Sequence, residues 1–408
     1  MPDWKSRDSL PTLPAHFHFT PEFQLLAACS WVAPPSMEKA RSLKMASLCD
    51  QEMNWTEFVR LVNRHSVSPL VYAALTRSGE VKIPHETLEN LRIWNGEVRR
   101  RALLQTAELV SLMEIFSAQN IDVLPWKGVF LSYQLYGDAG LRSSSDIDIL
   151  VRPEQVGQAQ KILFSQGYLH DDWLGYSLTP SQKRFFIESL ETHHFAFQHP
   201  ETRLELELHQ KLALPLLQKD MDLLWNCTKR VHWQGVSLPC LDENALLLML
   251  CLHGGIHYWC CLKWLSDVAR LLTMENSKDW TRLLAMADRL ALKRPLAQGA
   301  LLSHWIYDIE PPIELCNLIK KEKAAMELSV KALTVMQEKM IETQVPMYQL
   351  RLIWHIKKLQ PSSSLIKLIK SLLMSPEDCK TLPLPDSLFW LYYPLRPFLW
   401  FRRHYLRN

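Results

Sequence analysis

Apolar residues recur at intervals of three and four through Pro21–Val32 (PEFQLLAACSWV) and Asn54–Leu75 (NWTEFVRLVNRHSVSPLVYAAL), which predicts amphipathic helices. Ile83-Pro84 opens a longer helical run from His85 to Gln119. At Asn120 the period changes. Ile121–Pro125 reads as a short strand, Gly128–Tyr136 as a short helix and Asp146–Val151 as a second strand. A helix then starts at Pro153, a residue suited to a first turn, with Glu154 at the positive end of its dipole and Gly167 to stop it. Beyond a polar segment, Asp171–Glu191, two further strands are expected at His193–Phe197 and Leu204–His209. The latter alternates strictly, leucines on one face and Glu205, Glu207 and His209 on the other. From Glu243 strand signals vanish, and helical patterns, broken near Gly254-Gly255, continue to about Met374. Pro376–Pro385 reads as a Pro-rich linker to an aromatic and basic tail. Pro394 and Pro397 interrupt a long helix there, so the tail is expected to pack back onto the helical region. The predicted class is α+β: a small mixed sheet at 96–235, between helical regions at 1–95 and 236–375, with the linker and tail at 376–408.

Composition narrows the function classes. A chain of 408 residues suggests two or three domains or subdomains. Lys and Arg exceed Asp and Glu by 46 − 43 = 3, and no basic stripe is present, which disfavours nucleic acid as a partner. The knot Arg99-Arg100-Arg101 reads as a solvated helix face. Nine cysteines without a CxxC pair, and no secretory signal at the N-terminus, point to reduced thiols in a cytoplasm. Ala245–Leu252, the most apolar run, is too short to span a bilayer and reads as a buried helix.

The candidate chemistry sits between Trp126 and Val151. Asp146 and Asp148 leave the same face of one strand, while Ile147 and Ile149 take the other. Unpaired carboxylates on an otherwise apolar strand are costly, and a divalent cation is their usual partner; a solvated acidic edge is the alternative. The Leu204–His209 strand offers a third acid, Glu205 or Glu207, if the two strands are neighbours. Three carboxylates suit Mg²⁺. Lys127-Gly128, between a strand end and a helix start, offers a positive charge and backbone N–H groups to a triphosphate. Arg142 and Ser143–Ser145 lie in the loop that delivers the aspartates. His209 fits a role orienting Glu207 as well as a structural one, and His193 and His194 read as structural. His253 and His257 lack the acid of a zinc-protease helix and read as packing or substrate-facing. Lys263 and Asp267 share a helix face, as a surface ion pair would.

In these residues the chain resembles the nucleotidyltransferase superfamily typified by DNA polymerase beta. More narrowly, it resembles a largely uncharacterised nucleotidyltransferase family of bacterial proteins. The matching positions are Lys127-Gly128, Tyr136, Asp138, Arg142, Asp146-Ile147-Asp148 with Ile149–Val151, and Glu207-Leu208-His209. A later helical motif matches at His253-Gly254, His257, Trp259, Leu262–Leu265 and Asp267. Val129 departs from the Ser or Gly that the wider superfamily places after its turn glycine, and the gap from Gly128 to Asp146 fits only the narrower family. The resemblance implies transfer of a nucleoside monophosphate, AMP foremost, from an NTP to a hydroxyl or phosphate. It implies two Mg²⁺ ions, or Mn²⁺ in their place, held by Asp146, Asp148 and Glu207. Glu207 is its choice of third acid. Lys127, Gly128, Arg142, Ser145 and Lys263 would bind the nucleotide, with His209, His257 and Asp267 in the substrate cleft. The acceptor is not legible. The rival readings are a degenerate nucleotide-binding scaffold and a nucleic-acid-modifying enzyme.

Overall fold

The change of period at Asn120 is where the chain enters its sheet. A computed structural model describes residues 10–77, 81–170, 179–186, 194–212, 218–274, 279–337, 348–361 and 376–405. His193, most of the polar segment 171–191 and the last residues of the tail, 406–408, lie outside the described residues. Five helices precede the sheet: α1 (Pro21–Cys29), α2 (Pro35–Cys49), α3 (Trp55–Arg64), α4 (Ser68–Arg77) and α5 (His85–Ala118). Their starts follow local chemistry. The Thr20 hydroxyl accepts from the N–H of Phe23 ahead of Pro21, and the Asn54 side chain accepts from the N–H of Glu57 at 3.0 Å.

The chain then lays down β1 (Val123–Pro125), α6 (Gly128–Tyr136), β2 (Asp146–Val151), α7 (Val156–Ser165), β3 (Leu169–His170), α8 (Pro180–Phe186), β4 (His194–Gln198) and β5 (Glu205–His209). The sheet order is β1-β2-β5-β4-β3, with β2 and β5 parallel and every other neighbouring pair antiparallel. Alternation sorts its faces. Ile147, Ile149, Leu206, Leu208, Phe195 and Phe197 are buried in one core with Leu109, Leu112, Met113 and Phe116 of α5 and Leu163 of α7. The acids and histidines of β2, β4 and β5 therefore share the opposite face.

Downstream come α9 (Gln218–Trp225), β6 (Thr228–Trp233), β7 (Val236–Leu241), α10 (Glu243–Ile256), α11 (Leu262–Thr273), α12 (Trp280–Arg289), α13 (Lys293–Tyr307), α14 (Ile313–Lys321), α15 (Lys323–Gln337), α16 (Tyr348–Leu359), α17 (Pro376–Thr381) and α18 (Tyr392–Tyr405). Helices from before and after the sheet share one core, in which Phe23, Leu25 and Phe58 are buried with Leu247, Leu250, Leu265 and Leu301. Across that core, Tyr307 Oη lies 3.2 Å from Ser30 Oγ and 3.0 Å from Ser266 Oγ. The architecture is α+β, a small mixed sheet flanked by helices, as its hydrophobic pattern predicts. No helix among the described residues is long and apolar enough to cross a membrane.

Three expectations need correction. The antiparallel hairpin of β6 and β7 was not anticipated; its turn residues, Gln234 (φ 51°) and Gly235 (φ 82°), both take the left-handed conformation of a two-residue hairpin loop. Trp233, Leu238 and Cys240 bury its inner face, and Trp233 packs against Phe130 and Tyr133 of α6. The expected linker at Pro376–Pro385 contains a helix, α17, whose Asp378 and Cys379 are buried. The tail forms α18 and seats on α8: Tyr392, Leu399 and Cys379 make a small core with Phe185, and the N–H of Ser181 donates to Asp386 at 2.6 Å. Pro394 falls in the first turn of α18, where a missing N–H costs little.

Candidate active site

Parallel pairing sets Asp146 beside Glu205 and Asp148 beside Glu207, all four on the face away from the α5 core. Antiparallel pairing on the far side sets Ala196 beside Glu207 and His194 beside His209. The contacts converge on Asp148 and Glu207. His209 Nε2 lies 3.0 Å from Asp148 Oδ1 and 3.2 Å from Glu207 Oε2, and His194 Nε2 lies 3.7 Å from Glu207 Oε1. Lys127 Nζ is 3.0 Å from Asp148 Oδ1. Glu205, by contrast, is exposed.

Lys127 reaches Asp148 because β1 and β2 are paired: the N–H of Trp126 donates to the carbonyl of Asp148 at 3.0 Å, and α6 begins one residue after Lys127. Gly128 has φ +62°, and a Cβ there would lie 3.4 Å from the carbonyl oxygen of Asp146, so the turn both favours glycine sterically and brings the helix start against β2. Ser144 Oγ donates to the same carbonyl at 2.9 Å, while Ser145 is exposed and its carbonyl accepts from Arg101.

Burial pushes the Asp146 carboxyl up to about 6, and the nearby charges of Asp148 and Glu207 push the same way. Burial acts upward on Asp148 too, but Lys127 and His209 outweigh it and hold this carboxyl below the usual range. Glu207 is also lowered, burial being outweighed by the His209 hydrogen bond and by His194. On His209 burial opposes charge, yet the two carboxylates raise it above its ordinary value.

The helical region closes the site through α11. Arg142 Nε donates to Asp267 Oδ2 at 2.8 Å, and Tyr136 Oη donates to Asp267 Oδ1 at 3.0 Å. Both Arg142 and Asp267 are buried, so this is an interior ion pair rather than the surface pair with Lys263 that helix spacing allows. Lys263 instead donates to the carbonyl of Ser143 at 3.1 Å, and burial, reinforced by Arg142, lowers its ammonium to about 8. His253 and His257 pack around the ring of Trp264, and His257 is exposed.

Asp146, Asp148, Glu207, Lys127, Gly128 and His209 are thus brought together, and Arg142, Lys263 and Asp267 join loop to helix at their edge. Two groups escaped sequence reading. The adjacent pair His193-His194 reads as structural, yet His194 faces Glu207; the alternation of β4 is a signal for it, but only once β4 is known to border β5. Arg99 and Arg101, read as a solvated face, reach Asp138 at 2.9 Å and the Ser145 carbonyl, bracing the loop before β2.

The donor chemistry fits a hard divalent cation. Oxygen donors of Asp146, Asp148 and Glu207 lie on one sheet face, where burial, with the neighbouring carboxylates second to it, disfavours the charge of Asp146. Fold and site together define a class: a small α+β sheet presenting strand-borne carboxylates beneath a Lys-Gly helix start. The family profile described as "Uncharacterised nucleotidyltransferase" matches residues 51–308, and the chain belongs to that family. Membership makes an NTP the expected donor substrate and transfer of its nucleotidyl group the general activity. Among curated proteins and among solved structures no match was found.

Proposed function

We propose that the protein is a divalent-metal-dependent nucleotidyltransferase of the polymerase-beta type. It moves a nucleoside monophosphate, AMP foremost, from an NTP to a hydroxyl or phosphate and releases pyrophosphate. One observation carries the reading: the parallel register that pairs Asp148 with Glu207, next to Asp146 and under Lys127. Asp146, Asp148 and Glu207 would hold Mg²⁺, or Mn²⁺ in its place, which when bound neutralises phosphate charge and activates the attacking oxygen.

The chain's own residues do the rest. Lys127 moves its charge from Asp148 towards the triphosphate, and the free N–H groups of the first turn of α6 face the same anion. Lys263 adds a second cation from α11. Glu207, held ionised by His209 and His194, accepts the proton of the acceptor. Arg142 acts through Asp267 and Tyr136 to fix the loop that delivers the aspartates, and catalysis is mainly positioning and charge neutralisation.

Full-length protein incubated with α-labelled NTPs, Mg²⁺ and cell extract should give a labelled product that the Asp148→Asn variant does not form. Metal-dependent NTP binding with no labelled product from any extract would favour a nucleotide-binding scaffold instead.

A further inference from the structure

The polar face of the sheet holds a second donor set that differs in kind from the aspartate pair. His194 and His209 are register partners on adjacent antiparallel strands, with ring centroids 5.4 Å apart. Their Nε2 atoms stand 3.7 Å and 3.2 Å from the two carboxylate oxygens of Glu207. One ligand atom from each of the three lies within 4.8 Å of the others, and among the described residues this is the group with that property; Asp146 stands outside it.

Two imidazole nitrogens and one carboxylate are poor donors for Mg²⁺, which prefers an all-oxygen shell. They are good donors for first-row transition cations. A cation with bonds of 2.0–2.2 Å to such ligands sets them about 3.4 Å apart, so modest side-chain rotation closes the set. The backbone need not move, because β5 is held by ladders on both sides. His209 is buried, whereas His194 and Glu207 are half-buried. Such a site keeps coordination positions open, as catalytic sites do and closed structural sites do not. A cation bound at His209 Nε2 would replace the proton that this nitrogen shares with Asp148 Oδ1, 3.0 Å away, and would leave that carboxylate beside the bound charge.

We propose that His194, Glu207 and His209 form a binding site for a first-row transition cation, so that the centre beside Asp148 is selective for a cation such as Mn²⁺ over Mg²⁺. The site shares Glu207 with the transferase reading above, and its cation is read directly, without nucleotide or turnover. The two ideas can therefore fail separately.

Chelator-stripped full-length protein is titrated with Mn²⁺ and followed by electron paramagnetic resonance, with Mg²⁺ as competitor. Bound Mn²⁺ should show hyperfine coupling to imidazole nitrogen and resist an equal concentration of Mg²⁺. His194→Gln, at a half-buried position where folding should survive, should remove part of the nitrogen coupling and weaken Mn²⁺ binding at least about tenfold. His209→Gln should do the same where circular dichroism shows a folded chain. Asp146→Asn should leave the nitrogen coupling in place. Absence of Mn²⁺ binding, Mn²⁺ bound without nitrogen coupling, or His194→Gln binding Mn²⁺ like the wild type would each overturn the proposal.

Discussion

Arg142 and Asp267, 125 residues apart in sequence, meet through an Nε to Oδ2 hydrogen bond of 2.8 Å with both side chains buried. One belongs to the loop that delivers Asp146 and Asp148, the other to α11 of the helical region, so the pair fixes the acids relative to the wall opposite them. Tyr136 shares the same carboxylate, and burial together with that carboxylate raises its phenol well above the ordinary value.

Asp267→Ala should therefore be much worse than a surface deletion. It strands a buried guanidinium, a loss of about 3–5 kcal/mol. The double variant Arg142→Met/Asp267→Leu removes the charge along with its partner and should recover much of that loss. Urea denaturation of the three proteins checks both points, and a cost below about 1 kcal/mol for Asp267→Ala would show that this pair does not hold the loop.

The two aspartates of β2 should respond oppositely when made neutral. In metal-free protein Asp146 has a folded value near 6, above its unfolded value of 3.8, so its charge opposes folding above pH 6 and the penalty fades as pH falls towards 4. Asp146→Asn should raise stability at pH 7.5 by about 1–3 kcal/mol and leave it unchanged near pH 3.5. Asp148 is lowered, so its contribution is present above its ordinary carboxylate value and lost as pH falls below it. Asp148→Asn leaves Lys127 without its carboxylate and should lower stability at pH 7.5 by about 2 kcal/mol. Both variants should lose nucleotidyl transfer, so melting curves in chelator separate stability from chemistry.

What was legible follows the reach of local pattern. The strand Asp146–Val151 and the helix Gly128–Tyr136 are visible because alternation and turn chemistry are properties of neighbouring residues. Strand adjacency is not local, so nothing in His193-His194 tells that His194 will face His209 across a ladder. The α11 contacts were only half visible: helix spacing links Lys263 to Asp267, but burial redirects each to a different residue of the 137–145 loop, Ser143 and Arg142. The β6–β7 hairpin had a signal in Gln234-Gly235 between alternating apolar residues, obscured by Lys229, Arg230 and Pro239. Pro239 is tolerated because a two-stranded ribbon leaves each strand an open edge.

The choice between Glu205 and Glu207 rests on the same ladder. Glu205 pairs with Asp146 at the exposed start of β5, and Glu207 pairs with Asp148 where Lys127, His209 and His194 converge. Glu207→Gln should reduce turnover at least about a hundredfold, the scale of losing a positioned base. Glu205→Gln should cost far less. Steady-state kinetics of the two variants decides the matter, and the reverse order would move the centre towards Asp146 and Glu205.

Lys263 gives the site a pH signature that nucleotide binding should reveal. Its ammonium is lowered to about 8 by burial and by Arg142, against the opposing pull of Cys261, Asp267 and Asp146. A triphosphate held by this residue favours the charged form and raises the value again. The contribution is then complete below pH 8 and is lost as pH rises through and beyond 8, where the free protein must take up a proton in order to bind. Affinity should fall by at most about tenfold per pH unit over that range. Lys263→Arg keeps its charge throughout, so it should bind with little pH dependence from pH 7.5 to 9.5. Calorimetric titration of a non-hydrolysable NTP analogue into both proteins across that range makes the comparison. Equal pH dependence in the two would remove Lys263 from the triphosphate site and leave it only its contact with the Ser143 carbonyl.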